Sequence, residues 1–398
     1  MENSKTGIIL HDYFSMLGGG ERLVGELSRH FGWPVVAGFK SSRYSEIIAN
    51  GSIVGDMQWI QQVKSLQCYQ GLLPFQILNL MRGFMDRSHL FIENFPMVLY
   101  SGTYAPLGVL RSPAPVNIYY CHSPARFVYD QRDFYLSAIP FWQRPVLHWL
   151  IRKFQPLYEK ALATMDTIIA NSENVKNRLR NYLGLDAVVV HPPCDTKRFS
   201  WSGQSNFYLS TARLDPLKRV DLVIEAFKRM PEKNLVVVSG GSEEQKLRKS
   251  AVGANNIDIL GWVAEKKLQD LIGSCIATIY IPRDEDFGMS PVESMAAGKP
   301  VIGVQEGGLL ETVGTDSSVM IVKNNCESLV IENVVETPYG LLIRKNPNVE
   351  NVIQAVQRMT PRRTIEMRHS CETRAKEFDI RVFLESIGQI CKQSFHKE

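Results

Sequence analysis

A chain of 398 residues is too long for one ordinary hydrophobic core and suits two domains. Its 44% apolar and 22% charged content is that of a soluble globular protein rather than a fibrous or disordered one. The net charge of +4 forces no polyanion-binding role, so nucleic acid is not expected as a partner; an anionic small molecule or an anionic membrane surface suits the mild basic excess.

The first half opens on Gly7-Ile-Ile-Leu10, a short buried strand, and the residues before it carry no leader pattern. Gly18-Gly19-Gly20-Glu21-Arg22 follows and starts a helix. Glycines there let the backbone approach a phosphate, and the helix end favours its charge; the same residues also serve as a plain tight turn. The strands Pro34–Gly38, Met97–Tyr100, Val116–Tyr120 and Thr167–Ala170 come next. Tyr119-Tyr120-Cys121-His122-Ser123-Pro124 places His122 at a strand's carboxyl end, suited either to touch a substrate or to pack. In Pro140–Phe154 aromatic and basic residues mix. Trp149, Leu150 and Phe154 are expected to share one helix face beside Arg152 and Lys153, as a core helix with a wet edge or as a helix lying on an anionic membrane.

Residues 192–203, with Pro192-Pro193 and Gly203, form the best domain boundary. The second half repeats the alternation through Phe207–Ser210, Leu235–Ser239, Ile257–Leu260, Ala277–Ile281 and Pro300–Gly303, with helices over Arg219–Arg229 and Ala264–Ile272. Strand–helix alternation with continuous apolar strands predicts parallel sheets covered on both faces, hence an α/β protein of two doubly wound domains. Ligands of such sheets sit at the carboxyl ends of the strands. Two basic residues, Arg213 and Lys218, bracket the turn at Asp215-Pro216 after the first strand of this half, where they would neutralise a diphosphate or remain a solvated basic loop.

Glu285 and Glu293 stand eight positions apart around Gly288 and Pro291, one in a loop and one on the helix that follows. That helix start offers free amides to an anion, while the two carboxylates can grip the hydroxyls of a sugar and of a ribose. The combination asks for a sugar nucleotide, where a lone pair of such acids would read as a solvated loop. Asp284 and Asp286 give a D-x-D pattern, but Glu285 between them has another task, so no metal site is expected. The cysteines at 68, 121, 194, 275, 326, 371 and 391 show no metal or disulfide spacing and fit a reduced, cytoplasmic compartment. No run of about 20 apolar residues occurs, so any membrane role is peripheral, on the inner face.

In this order the elements resemble the retaining glycosyltransferases of glycosyltransferase family 4, which have the GT-B fold: two Rossmann-like domains facing across a cleft. Ile168–Ser172, Asp195–Phe199, Leu260-Gly261-Trp262 and Gly307-Gly308-Leu309-Leu310-Glu311 complete the likeness, and the stretches Tyr120–Pro124, His191–Asp195 and Leu217–Asp221 look most like bacterial O-antigen mannosyltransferases. The resemblance implies an N-terminal domain over 1–195, a nucleotide-sugar domain over 196–377, and a last helix, 378–398, crossing back onto the first domain. It implies transfer of a hexose, mannose from GDP-mannose first and glucose-type UDP-sugars second, to a glycan or lipid-linked glycan, without cofactor or metal. Glu285 would hold sugar hydroxyls and Glu293 the ribose; Arg213 and Lys218 would bind the diphosphate; His122 would contact the donor sugar. Gly18 and Gly19, and the amides around Gly288, Met289 and Ser290, would face the donor. Ala212 and Arg219 stand where the family often has glycine, and Pro193-Cys194 replaces an Asn-Gly-Val-like turn, so these turns are expected to differ locally. An isomerising or hydrolysing enzyme, and a non-catalytic sugar-nucleotide-binding subunit, are the competing readings.

Overall fold

The structure, a computed structural model, describes residues 7–15, 18–41, 62–314 and 333–395; the extreme N-terminus, over which no leader is expected, lies outside them. The chain divides into two compact units, Met1–His191 with Leu384–Glu398, and Pro192–Phe383.

Seven strands of the first unit are described: β1 (Ile8–His11), β2 (Val35–Ala37), β3 (Lys64–Ser65), β4 (Met97–Ser101), β5 (Val116–Cys121), β6 (Thr167–Ala170) and β7 (Val188–Val189). They pair in parallel in the order β3-β2-β1-β4-β5-β6-β7. The central strands β1, β4 and β5 are buried along their whole length, as apolar strands covered on both faces must be. Chain order reverses between β1 and β4, which opens a crevice outside their carboxyl ends. The last helix, Ile380–Phe395, contributes its residues from Leu384 onward to this unit, where the Thr167 and Ser394 hydroxyls lie 3.3 Å apart.

The second unit holds β8 (Tyr208–Ser210), β9 (Leu235–Val238), β10 (Ile257–Gly261), β11 (Thr278–Ile279), β12 (Val301–Val304), β13 (Val334–Thr337) and β14 (Gly340–Ile343), in the order β10-β9-β8-β11-β12-β14-β13. Its reversal falls between β8 and β11. The expectation of a wholly parallel sheet needs correcting at one edge, where β13 runs antiparallel to β14. Only Pro338 and Tyr339 join these two strands, too few for a parallel crossover. Gly340 is required at the second strand's start: its φ is +158°, and a Cβ there would lie 1.9 Å from the Val301 carbonyl oxygen.

Helix phase corrects the reading of Pro140–Phe154. Leu147, Leu150, Ile151 and Phe154 form the buried face of the helix Arg144–Ala163, while Trp149 is 52% exposed on another side. At 100° per residue, Trp149 cannot join the face that Leu150 and Phe154 share.

Candidate functional site

In the second unit both strands flanking the reversal deliver charged residues. The loop after β8 carries Arg213 and Lys218; the loop after β11 carries Glu285. The Lys218 ammonium lies 2.5 Å from the Glu285 carboxylate, and both side chains are mostly buried. Tyr280, just beyond β11, completes the group: its hydroxyl accepts from Lys218 at 3.1 Å and donates to Glu285 at 2.8 Å. Burial alone would lower the Lys218 pKa, yet the Tyr280 oxygen and the Glu285 carboxylate together raise it well above the usual lysine range, so the ammonium stays charged. Burial, with Glu285 beside it, keeps the Tyr280 phenol protonated. Arg213 is more open and lies 3.6 Å from Asp215.

Directly behind Glu285, Gly288 (φ +96°) caps the helix Met289–Ala296, which carries Ser290 in its first turn and Glu293 further on. Met289, Ser290 and Glu293 are partly exposed. The Gly307-Gly308 pair supports the carboxylate loop from beneath. The Gly308 amide donates to the Glu285 carbonyl at 2.8 Å, and a Cβ on Gly307 (φ +61°) would meet that carbonyl oxygen at 2.4 Å. Only glycine allows this approach.

Arg219 does not relax the turn it occupies. It adopts φ +53° and ψ +33°, the left-handed conformation that glycine prefers. Its buried guanidinium donates to the carbonyls of Ile281 and Pro282, at 3.4 and 3.3 Å, and pairs with buried Glu306. One side chain thus joins the loops after β8, β11 and β12.

In the first unit, Gly18 precedes the helix Gly19–Phe31, and its amide donates to Glu21 at 3.1 Å. A Cβ on Gly20 would lie 3.4 Å from the His122 ring, so this loop packs against the histidine. His122 is half-buried after β5. Its Nε2 lies 2.8 Å from the Ser101 hydroxyl, which lies 3.1 Å from His11 Nδ1. His11 ends β1 and Ser101 ends β4, so one hydrogen-bonded row crosses three neighbouring strand ends. The Asn171 amide donates to the His122 carbonyl at 2.8 Å.

Burial holds His122 down at about 4; burial, and then the neighbouring His122, hold His11 down at about 3. Both rings are neutral at pH 7. Asp12 follows β1 and accepts from the amides of Thr103, Tyr104 and Ala105 at 2.5, 2.7 and 2.8 Å; burial outweighs these bonds and pushes it up to about 6. These shifts have opposite consequences. A depressed histidine contributes stability that is full above 6.5 and is lost as pH falls toward its folded value. Raised Asp12 offsets part of that loss between about 6 and 3.8. Each histidine costs about 1.4 kcal/mol per pH unit below 6.5. His122→Gln should therefore recover about 2 kcal/mol of the stability lost between pH 7 and pH 4.5, read as a shallower fall in the urea midpoint. Parallel curves for variant and wild type would mean that His122 is not a neutral buried imidazole.

Asp12, Tyr13, Gln76, Tyr104, Phe127 and Tyr135 are among the residues lining a cavity of about 260 Å³ beside His122. Among the described residues no group of three or more His, Cys, Asp or Glu side chains gathers as a metal-ligand set. Sequence patterns alone did not single out Tyr280, the Arg219–Glu306 pair, His11, Asp12 or Ser101. Each lies at or just beyond the carboxyl end of a strand or in the loop that follows, and that position was the available signal.

Residues 195–378 match the family model described as glycosyl transferases group 1. An uncharacterized glycosyltransferase of Methanocaldococcus jannaschii is 29% identical over 190 residues, covering 47% of this chain and 54% of that protein. The O-antigen chain mannosyltransferase C of Escherichia coli is 26% identical over 203 residues, covering 46% of this chain and 53% of that protein. The chain thus spans about half the length of these curated relatives. The Anabaena HepE structure, in complex with UDP-glucose, aligns with a TM-score of 0.66 at 15% identity, over 97% of this chain and 99% of that one. Residues 195–378 thus resemble the glycosyl transferases of group 1, and the two Rossmann-like units of the chain are those of the GT-B fold.

Proposed function

We propose that this protein transfers a hexose from a nucleotide diphosphate sugar to a glycan or lipid-linked glycan, with retention of anomeric configuration and with GDP-mannose as donor. The observation that carries the reading is the Lys218–Tyr280–Glu285 group beside a helix N-terminus, at the strand reversal of the family-matched segment. Lys218 and Arg213 neutralise the diphosphate, and Glu285 orients the sugar hydroxyls. Glu293 holds the ribose, and the amides from Gly288 to Ser290 face the donor. In the first unit, Gly18, Gly19 and neutral His122 are the proposed donor contacts. The bond between the anomeric carbon and the leaving phosphate oxygen breaks. The acceptor hydroxyl oxygen bonds to that carbon on the same face, and its proton passes to the leaving diphosphate. The protein supplies orientation and fixed charge rather than a nucleophile, and the reaction calls for no bound metal or other cofactor.

Mannose draws support from the name of the Escherichia coli relative, while the Anabaena likeness supports the fold alone. Thermal unfolding with GDP, UDP, GDP-mannose and UDP-glucose tests the donor. A ligand at about 100 times its Kd adds about 2.7 kcal/mol, which raises the melting temperature by several degrees. GDP ligands are expected to do so. Selective stabilisation by UDP ligands would replace mannose with a UDP-sugar; no response to any nucleotide would remove the transferase reading.

A further inference from the structure

The first unit presents an apolar and basic surface apart from the residues assigned to the donor. Phe141 and Trp142 are 78% and 59% exposed in the turn Phe141–Gln143. Val146 and Trp149 follow on the helix Arg144–Ala163, 42% and 52% exposed. Val146 and Trp149, three apart, share one side of the helix, turned away from the buried Leu147, Leu150 and Phe154, and Phe141 and Trp142 are exposed in the turn just before it. Exposed apolar residues scattered singly need no explanation; three aromatics and a valine within nine residues do. Arg144, Arg152 and Lys153 lie exposed among them. Arg132, 3.1 Å from His148, adds a fourth cation from the neighbouring helix Arg132–Ser137. Asp133, exposed, and Asp130, paired with Arg126, are acids on the adjoining segment.

We infer that this face seats the first unit on an anionic lipid bilayer. Indole and phenyl rings settle at the headgroup boundary, where apolar and polar surroundings meet. The surrounding arginines and lysine match anionic headgroups. The contact lies on the membrane rather than through it, because among the described residues no helix is long and apolar enough to cross. A second copy of the chain fits less well: a two-fold contact through this face would bring Arg144, Arg152 and Lys153 against their own counterparts.

Flotation of the full chain with vesicles tests this. Phosphatidylcholine vesicles containing phosphatidylglycerol should carry the protein upward, and pure phosphatidylcholine vesicles should carry little. Arg152→Gln with Lys153→Gln should weaken binding about fivefold per charge removed. Trp142→Ser with Trp149→Ser should abolish flotation while leaving the melting temperature unchanged, since both residues are exposed. Failure of the wild type to float with anionic vesicles at low salt overturns the inference. So does undiminished flotation of the tryptophan variant, or a dimer in light scattering that this variant turns into a monomer. None of these readouts depends on the donor or on sugar transfer.

Discussion

Lys218→Ala lowers kcat/KM for sugar transfer by a factor on the order of 10²–10³, the cost of removing one preorganised charge from a transition state. The pairing seen in the structure makes the expectation sharper. The Lys218 ammonium and the Glu285 carboxylate lie 2.5 Å apart and neutralise each other. In the proposed site the cation turns to the diphosphate and the carboxylate to sugar hydroxyls, which divides the pair. Glu285→Gln therefore has two effects of opposite sign: transfer falls about as far as in Lys218→Ala, while affinity for the free nucleoside diphosphate rises, because Lys218 no longer has its carboxylate. Tyr280→Phe keeps the ring and loses only the hydroxyl that bridges the pair, so kcat falls about tenfold with little change in nucleotide binding. Steady-state kinetics with calorimetric nucleotide titration separates the three. Wild-type turnover in both Lys218→Ala and Glu285→Gln would end the transferase assignment. Weaker nucleotide binding in Glu285→Gln would show instead that the pair acts as a unit toward the nucleotide.

Arg219→Gly destabilises the second unit by about 2–4 kcal/mol, although glycine is the residue that the turn geometry favours. Relieving a left-handed non-glycine backbone returns about 1 kcal/mol. Removing the guanidinium works in the other direction. Glu306 is 5% exposed, and an unpaired charge left in such a place costs about 3–5 kcal/mol. The lost ion pair outweighs the relieved backbone, so the net effect is destabilising. Because the guanidinium also holds the carbonyls of Ile281 and Pro282 ahead of Glu285, transfer should fall together with stability. Arg219→Gly with Glu306→Gln should recover most of the stability and little of the activity, by urea unfolding and initial rates. A stabilised single variant would mean that the ion pair contributes nothing.

Much of the site was legible before the fold, for a local reason. Gly288 with its left-handed φ, the helix start at Met289 and the two glutamates around it are features of one short segment, and backbone preference and helix capping act within a few residues. The strands were legible because apolar runs such as Met97–Tyr100 are buried on both faces. The edge strands β3 and β7, each only half covered, were not, whereas the equally short β11, buried at both positions, was. The antiparallel edge was missed for another reason: the strand direction depends on a turn two residues long.

Length, alternation and motif order determined by themselves that the chain builds two doubly wound units, and supplied the motifs on which the proposed sugar-nucleotide chemistry rests. Tertiary structure decided which polar groups meet. Lys218 and Glu285 are 67 residues apart, Arg219 and Glu306 are 87 apart, and His11 and Ser101 are 90 apart. Strand order brings them together, and strand order follows from how whole sheets pack rather than from any short stretch of sequence. The protonation states have the same origin. Neutral His122, charged Lys218 and raised Asp12 are set by burial and by partners that only the folded chain supplies.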